Sequence, residues 1–203
     1  MREPAGKRPL DLVGGLVALV LSAPVLVVAA LLVKLEDRGP VIYRQTRVGR
    51  GGSDFELLKL RTMVVGAEKL GAGYAVDRGD PRITRIGRVL RRLSIDELPQ
   101  FWNVLRGDMS LVGPRPLPVA YLPRYTAEEA RRHDVRPGLT GWAQVNGRNT
   151  VDWDERLALD VWYVGHRSLP LDLRILWRTV SVVVKREGIS GVGTETMQEL
   201  RPR

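Results

Sequence analysis

Asp80 to Pro116, DPRITRIGRVLRRLSIDELPQFWNVLRGDMSLVGPRP, sets the reading of the rest of the chain. The stretch opens on a helical pattern. Ile83, Ile86, Leu90 and Leu93 recur at i, i+3, i+7 and i+10, with Arg82, Arg85, Arg88, Arg91 and Arg92 between them. That spacing predicts one apolar face and one strongly cationic face. Asp96 and Glu97 follow as adjacent carboxylates. A second short helix is expected from Leu98 to Leu105, with Pro99 in its first turn and Gly107 at its C′ position. The acids then lie near a helix N-terminus, where unpaired N–H groups favour negative charge. Gly113-Pro114-Arg115-Pro116 ends the stretch as a stiff loop that aims one guanidinium.

Each part also has a purely structural reading. Ser94-x-x-Glu97 is a capping-box pattern, and arginine-rich helix faces are commonly solvated or membrane-facing. Their convergence within one segment points to a polyanionic phosphate held with a metal ion. The run LRRLSIDELPQFWNVLRGDMSLVGPRP resembles the core of the bacterial sugar transferase family, the monotopic phosphoglycosyl transferases. The resemblance extends to Phe55-x-x-x-Lys59-Leu60-Arg61-Thr62-Met63 and to Asp80-Pro81-Arg82. It also takes in Arg136-Pro137-Gly138-Leu139-Thr140-Gly141-Trp142-Ala143-Gln144, so nearly the whole chain is covered.

At 203 residues the chain has room for one domain plus a membrane element. It has no cysteine, which excludes disulfides and thiolate chemistry and fits a reducing compartment. Thirty-two Lys and Arg against 23 Asp and Glu leave a net charge of +9, which calls for an anionic partner. With two histidines and no cysteine, a structural zinc site is not expected.

Residues 12–33, LVGGLVALVLSAPVLVVAALLV, carry no charge and as a helix would be about 33 Å long, enough to cross a bilayer. The run is too long for a signal peptide and no small-x-small cleavage site follows it. Pro24 interrupts helical hydrogen bonding at its centre, and Ser22 can re-satisfy a freed carbonyl. Hydropathy favours a spanning helix. The flanks do not, because Arg2, Lys7 and Arg8 precede the run and Lys34, Arg38, Arg44, Arg47 and Arg50 follow it. A re-entrant helix, as in the family resembled, places both flanks on the cytoplasmic face. Ser22 and Pro24 then mark the break. Ala23 separates them, where family members are expected to have Ser directly before Pro.

Strands are expected at Val41–Val48 and Phe55–Leu60, joined by the turn Gly49-Arg50-Gly51-Gly52-Ser53. Lys59 and Arg61 fall on or just after the second strand, as solvated edge charges or as phosphate ligands. Residues 62–79 read as a short helix and a glycine-containing loop suited to a flap. Thr126-Ala127-Glu128-Glu129 is a second capping box, opening a helix to about His133, which is taken as a surface residue. Arg136 to Asn149 holds too many glycines for a regular element and is expected as a loop whose backbone approaches something closely. Arg136 and Arg148 are its candidate phosphate or nucleobase ligands, and Trp142 an interface anchor or core filler.

Val151–Gly165 should be a helix with Trp153, Leu157, Val161 and Val164 on one face. Leu171–Glu187 should be another, with Leu173, Leu176, Trp177, Val180 and Val184 in register, in the core or in plane at a membrane interface. Asp172 reads as a cap. Residues from Ile189 onward read as a loosely packed tail. The fold class expected is α+β and mostly helical. It comprises a re-entrant membrane helix over residues 1–36, a catalytic domain over 37–188 with a short β-hairpin and amphipathic interfacial helices, and a tail over 189–203.

No catalytic Ser-His-Asp or Cys-His arrangement is evident, but a carboxylate can serve as nucleophile. Attack on a diphosphate needs its charge neutralised by arginines and Mg²⁺, and Mg²⁺ requires only one or two carboxylates besides phosphate oxygens. Asp96 and Glu97 meet that minimum. The resemblance implies transfer of a phosphosugar from a UDP-sugar to a polyprenol phosphate such as undecaprenyl phosphate, with release of UMP. Asp96 would be the nucleophile and, with Glu97, the metal-binding pair. Lys59, Arg61, Arg88, Arg91, Arg115, Arg136, Arg148 and Asp172 would be the substrate-side residues. The implied location is the inner membrane, with the catalytic domain on its cytoplasmic face and no nucleic acid as partner. Oligomeric state, a homodimer included, stays open. Two other classes fit the same composition, a membrane-anchored basic protein that binds nucleic acid or anionic lipid, and a non-catalytic scaffold.

Overall fold

A computed structural model describes residues 3–70, 79–146, 151–185 and 200. Its first element, α1 (Lys7–Asp37), is 31 residues long and is apolar and long enough to cross a membrane. Helical structure continues through Pro24, and Ser22 Oγ donates to Leu19 O at 3.1 Å beside it. Lys7, Asp11 and Gly15 are buried at one end of α1, and Ala29 and Val33 at the other. Between them Leu16, Val17, Val20 and Leu21 point outward with more than half of each exposed. Both ends of the helix thus dock on the same folded body.

Docking at the first end is polar. Lys7 Nζ lies 2.7 Å from Asp172 Oδ2 and donates to Val112 O at 2.9 Å, while Tyr163 Oη donates to Asp172 Oδ1 at 2.7 Å. Lys7, Tyr163 and Asp172 are almost wholly buried, so each charge is matched inside the protein. Arg8 donates to the carbonyls of Val104 and Leu105 at 2.8 and 2.9 Å, and Asp11 accepts from Ser110 Oγ and Leu111 N, each at 2.9 Å. Gly14 and Gly15 leave room for Leu111 and Val104 against the helix. Lys7 and Arg8 are therefore spent on tertiary contacts, which removes them from the count of charges flanking the apolar run. At the other end Arg61 clasps Asp37 and donates to Pro40 O, each at 2.6 Å.

The expected hairpin forms from β1 (Ile42–Val48) and β2 (Asp54–Leu60), antiparallel, with Tyr43 opposite Lys59. Gly51 and Gly52 turn it with positive φ. Asn103 reaches β2 from α3 (Gln100–Arg106), accepting from Leu58 N at 3.0 Å and donating to Glu56 O at 2.7 Å. Before it, α2 (Arg85–Arg92) is capped by Thr84 Oγ1, which accepts from Gly87 N at 2.9 Å. Ile83 and Leu90 are buried as expected, whereas Leu93 is exposed because the helix ends there and the chain turns. Arg82 departs from the cationic face, since it is buried against Asp80 at 2.6 Å.

The glycine-rich segment after Arg136 departs from the expected loop. It supplies β4 (Gly138–Thr140), parallel to β3 (Ser110–Val112), and then α5 (Trp142–Asn146). The Thr126 capping box opens α4 (Ala127–Ala130), with Thr126 N donating to Glu129 Oε2 at 2.8 Å. His133 is buried beside Tyr125 rather than on the surface. Burial, then the charge of Arg132, pushes its pKa down to about 4, so it is neutral. Helix α6 (Trp153–His166) buries Leu157 and Val164, with Trp162 stacked between Trp142 and His166. Helix α7 (Leu169–Lys185) turns only part of its expected apolar register, Leu176, to the core. Asp172 and Ile175 face inward, so Leu173, Trp177 and Val180 look outward. Leu200 is buried with Leu117, Tyr121 and Leu157, and the rest of the expected tail, 189–199 and 201–203, lies outside the described residues.

Breaking the buried pair at the root of α1 leaves one charge without a partner. Lys7→Met and Asp172→Asn are each expected to cost roughly 3–5 kcal/mol. The double variant Lys7→Met/Asp172→Leu should cost less than either. Thermal melting of the detergent-solubilised protein checks the order, and additive losses would show that the two residues do not act as a pair.

Candidate active site

The acid pair sits where α2 hands over to α3. Ser94 takes a left-handed conformation, φ 56° and ψ 21°, uncommon for a residue other than glycine, and a single 3-10 turn from Ile95 to Glu97 follows. Ser94 makes no capping hydrogen bond, so the capping box read from Ser94 and Glu97 does not form. Glu97 instead turns to two cations. Its Oε1 accepts from Lys59 Nζ at 2.9 Å and from Arg115 Nη2 at 2.6 Å. Lys59 comes from β2 and Arg115 from the Pro-flanked loop after β3. Arg91 enters from α2, with Nε donating to Thr62 Oγ1 at 2.8 Å.

Asp96 differs from its neighbour. It is 7% exposed, and among the described residues no group hydrogen-bonds to its carboxylate. Burial pushes its pKa up to about 6. Lys59, Arg91 and Arg115 pull against that shift, and the charge of Glu97 adds to it. Desolvation thus outweighs the helix N-terminus and the arginines expected to favour the ionised form, yet with a pKa of about 6 the carboxylate still predominates at neutral pH. Burial acts on Glu97 in the same direction, but Arg115 and Lys59 overcome it and hold this carboxyl well below the usual range. The site contains one pinned carboxylate and one open one.

Arg115 is placed by backbone packing. A Cβ at Gly138 would lie 2.0 Å from Gly113 N, one at Gly113 2.4 Å from Arg136 O, and one at Gly141 2.2 Å from Gly113 O. Glycine at all three positions lets the β3 and β4 segments meet main chain to main chain, with Gly138 N donating to Pro114 O at 2.9 Å. Arg132, buried and paired with Asp160 at 2.7 Å, donates to Arg115 O at 2.7 Å. Sequence reasoning passed over Arg132, Asp160 and Thr62. Their roles rest on pairing across the fold, and no local spacing announces them.

Of the other candidates, Arg61 is buried and engaged by Asp37. Asp172 is fully buried against Lys7, and Arg136 is taken by Glu3 and by Gly107 O at 2.9 Å. In this structure all three are engaged in ion pairs and hydrogen bonds that hold the fold. Arg88 lies on the exposed side of α2, apart from the cations that act on Asp96. Arg148 lies outside the described residues, as do 71–78 of the 62–79 stretch expected to include a flap. Among the described residues no group of three or more His, Asp or Glu could hold a metal. The open carboxylate of Asp96 and the second oxygen of Glu97, which accepts from no described residue, are donors of the hard oxygen type that Mg²⁺ takes.

The raised pKa of Asp96 has a consequence for stability. Its folded value, about 6, exceeds the ordinary 3.8, so the folded state binds the proton more tightly. Folding then loses free energy as pH rises from about 4 to 6, and the cost is full above that window. In metal-free samples Asp96→Asn should stabilise the protein at about pH 8, by roughly 1–3 kcal/mol, and by much less at about pH 4. Urea unfolding at the two pH values checks this, and an Asn variant less stable at pH 8 would overturn it.

The family model described as bacterial sugar transferase matches residues 2–186. The uncharacterized sugar transferase EpsL of Bacillus subtilis is 48% identical over 183 residues, covering 90% of this chain and 89% of that protein. The UDP-glucose:undecaprenyl-phosphate glucose-1-phosphate transferase of Caulobacter vibrioides is 51% identical over 182 residues, covering 86% of this chain and 68% of its own. A UDP-N-acetylgalactosamine-undecaprenyl-phosphate N-acetylgalactosaminephosphotransferase of Aeromonas hydrophila is 43% identical over 184 residues, which is 88% of this chain but 43% of that protein. The chain thus spans most of the Bacillus relative and under half of the Aeromonas one. The match takes in the apolar helix, the acid pair and the glycine-packed loop alike, and the chain belongs to the bacterial sugar transferase family.

Proposed function

We propose that this chain transfers a phosphosugar from a UDP-sugar to a polyprenol phosphate, undecaprenyl phosphate in the first instance, in two displacements on Asp96. The observation that carries the proposal is the contrast within the acid pair. Glu97 is neutralised by Lys59 and Arg115, whereas Asp96 is buried, accepts no hydrogen bond from a described residue and is able to attack. The relatives' names support the acceptor and the type of transfer.

In the first displacement an Asp96 carboxylate oxygen attacks the phosphorus that bears the sugar. The bond from that phosphorus to the bridging oxygen breaks, and UMP leaves with the electron pair. In the second, a phosphate oxygen of the polyprenol phosphate attacks the same phosphorus and restores the Asp96 carboxylate. Above pH 7 the ionised form of Asp96 predominates despite its raised pKa. Arg115 and Arg91 lie where a diphosphate would gather charge, and an arginine can hold phosphate oxygens in a planar, bidentate grip. Asp96 and Glu97 would hold Mg²⁺, which supplies neutralisation of the diphosphate when bound.

Membrane association through α1 fits an acceptor whose phosphate lies at the lipid surface. The docking of both ends of α1 on one body supports a re-entrant path. A straight helix of 31 residues is about 46 Å long and would carry its ends to opposite sides of a bilayer. This reading places the catalytic body on the cytoplasmic face of the inner membrane, with the outward Leu173, Trp177 and Val180 of α7 at the interface. Single cysteines at positions 2 and 36, labelled in sealed vesicles of known orientation, should react from the same side, and reaction from opposite sides would overturn the path.

The chemistry is tested without acceptor. Enzyme, Mg²⁺ and UDP-sugar alone should release up to one UMP per site and add the mass of one phosphosugar to a peptide containing Asp96. Asp96→Asn should do neither while still entering membranes. UMP formed only when polyprenol phosphate is present, with no trapped adduct, would instead favour a direct single displacement.

A further inference from the structure

The chain from Ile95 to Arg106 is helical throughout, since Leu98 and Pro99 keep right-handed helical angles between the 3-10 turn and α3. Along it Asp96, Gln100, Asn103 and Val104 are buried. They follow i, i+4, i+7 and i+8, so they share one face. Two of the four have structural work. Val104 packs against Gly15 of α1. Asn103 bonds to Leu58 N, Glu56 O and Asp108 Oδ2.

Gln100 has no such work. It is 2% exposed, its amide makes no hydrogen bond with a described residue, and Nε2 is shut off from solvent. Leaving a buried donor unmet costs stability, and native proteins keep few such groups. Methionine or leucine would fill the space without that cost. The neighbourhood supplies a reason for the amide. Asn103 meets β2 at Leu58, and Lys59, the next residue, acts on both acids. Gln100 lies between these levels, one helical turn from Asp96, whose carboxylate also accepts no hydrogen bond from a described residue. An open donor and an open carboxylate at i+4 and i flank one space. A group that bonds to the carboxylate and offers oxygen to the donor would use both.

We propose that Gln100 is a catalytic residue that donates from Nε2 to a non-bridging oxygen of the phosphorus attacked by Asp96. A fixed donor there holds the phosphorus in line with the carboxylate and stabilises charge on its oxygens. That phosphorus stays at Asp96 through both displacements, so one amide serves both. The inference rests on the two-displacement reading given above.

The test compares the detergent-solubilised full chain with Gln100→Met, which is linear like glutamine, and Gln100→Leu, which is branched. Each is given Mg²⁺ and, in turn, UDP-glucose, UDP-galactose and UDP-N-acetylgalactosamine without acceptor. UMP release is followed in time, and melting temperature is measured on the same samples. Both variants should melt at or above the wild-type temperature and release UMP about 100-fold more slowly at saturating donor. Absence of acceptor-free UMP from the wild type with all three donors would overturn the two-displacement reading and this inference with it. Wild-type release matched in rate by either variant would overturn this inference alone. So would a lowered melting temperature, which would make the amide a support of the fold. A loss confined to the half-saturating donor concentration would place the amide on the nucleotide or the sugar, and would overturn it as well.

Discussion

The structure depends on the way α1 is tied down at both ends by polar groups. Lys7 and Asp11 at one end and Asp37 at the other are matched by Asp172, Ser110 and Arg61 from distant parts of the chain. An apolar helix held only by apolar contact could slide or rotate, since lipid offers it much the same surroundings as protein does. Buried ion pairs and hydrogen bonds are directional and costly to leave unmade, so they fix one register. Once α1 is fixed, α3 lies across its first half and α2 along its second. The turn between α2 and α3, which carries the acid pair, is thereby held against α1, with Ile95 packed beside Ala29 and Val33.

Within the site, the two acids show how environment divides labour between like groups. Both are desolvated, but Lys59 and Arg115 converge on Glu97 and not on Asp96. Glu97 thereby orients the cations and holds a dense local charge. Asp96 remains open at an energetic cost that the rest of the fold must absorb. A carboxylate in that state is poorly placed to stabilise a protein and well placed to react. The left-handed Ser94 just before it is a second local concession at the same turn.

Much of this was legible in the residues. The hairpin, the Thr126 capping box, the glycine that ends α3 and the long apolar helix all announce themselves through spacing over a few positions. The acid pair with Lys59, Arg91 and Arg115 was readable as well, because the residues matched a known pattern. What sequence reasoning could not reach depends on partners far away in the chain. Lys7 and Asp172 are 165 positions apart, and each by itself looks like a flanking charge or a cap. The glycines after Arg136 signalled close approach, but nothing local named Gly113 as the surface approached. The choice between core and interface for α7 stayed open for the same reason, since Asp172 points inward to meet Lys7.

The side chain of Asn103 performs a task that a third strand performs elsewhere. By bonding to both Leu58 N and Glu56 O it closes the open side of β2, while at the far side Arg47 pairs with Pro118, which has no N–H to extend a ladder. A two-stranded hairpin with apolar residues is otherwise a template for edge-to-edge aggregation. Here one amide occupies two main-chain groups on one edge of the hairpin and an imino acid sits against the other, which lowers that hazard without a third strand.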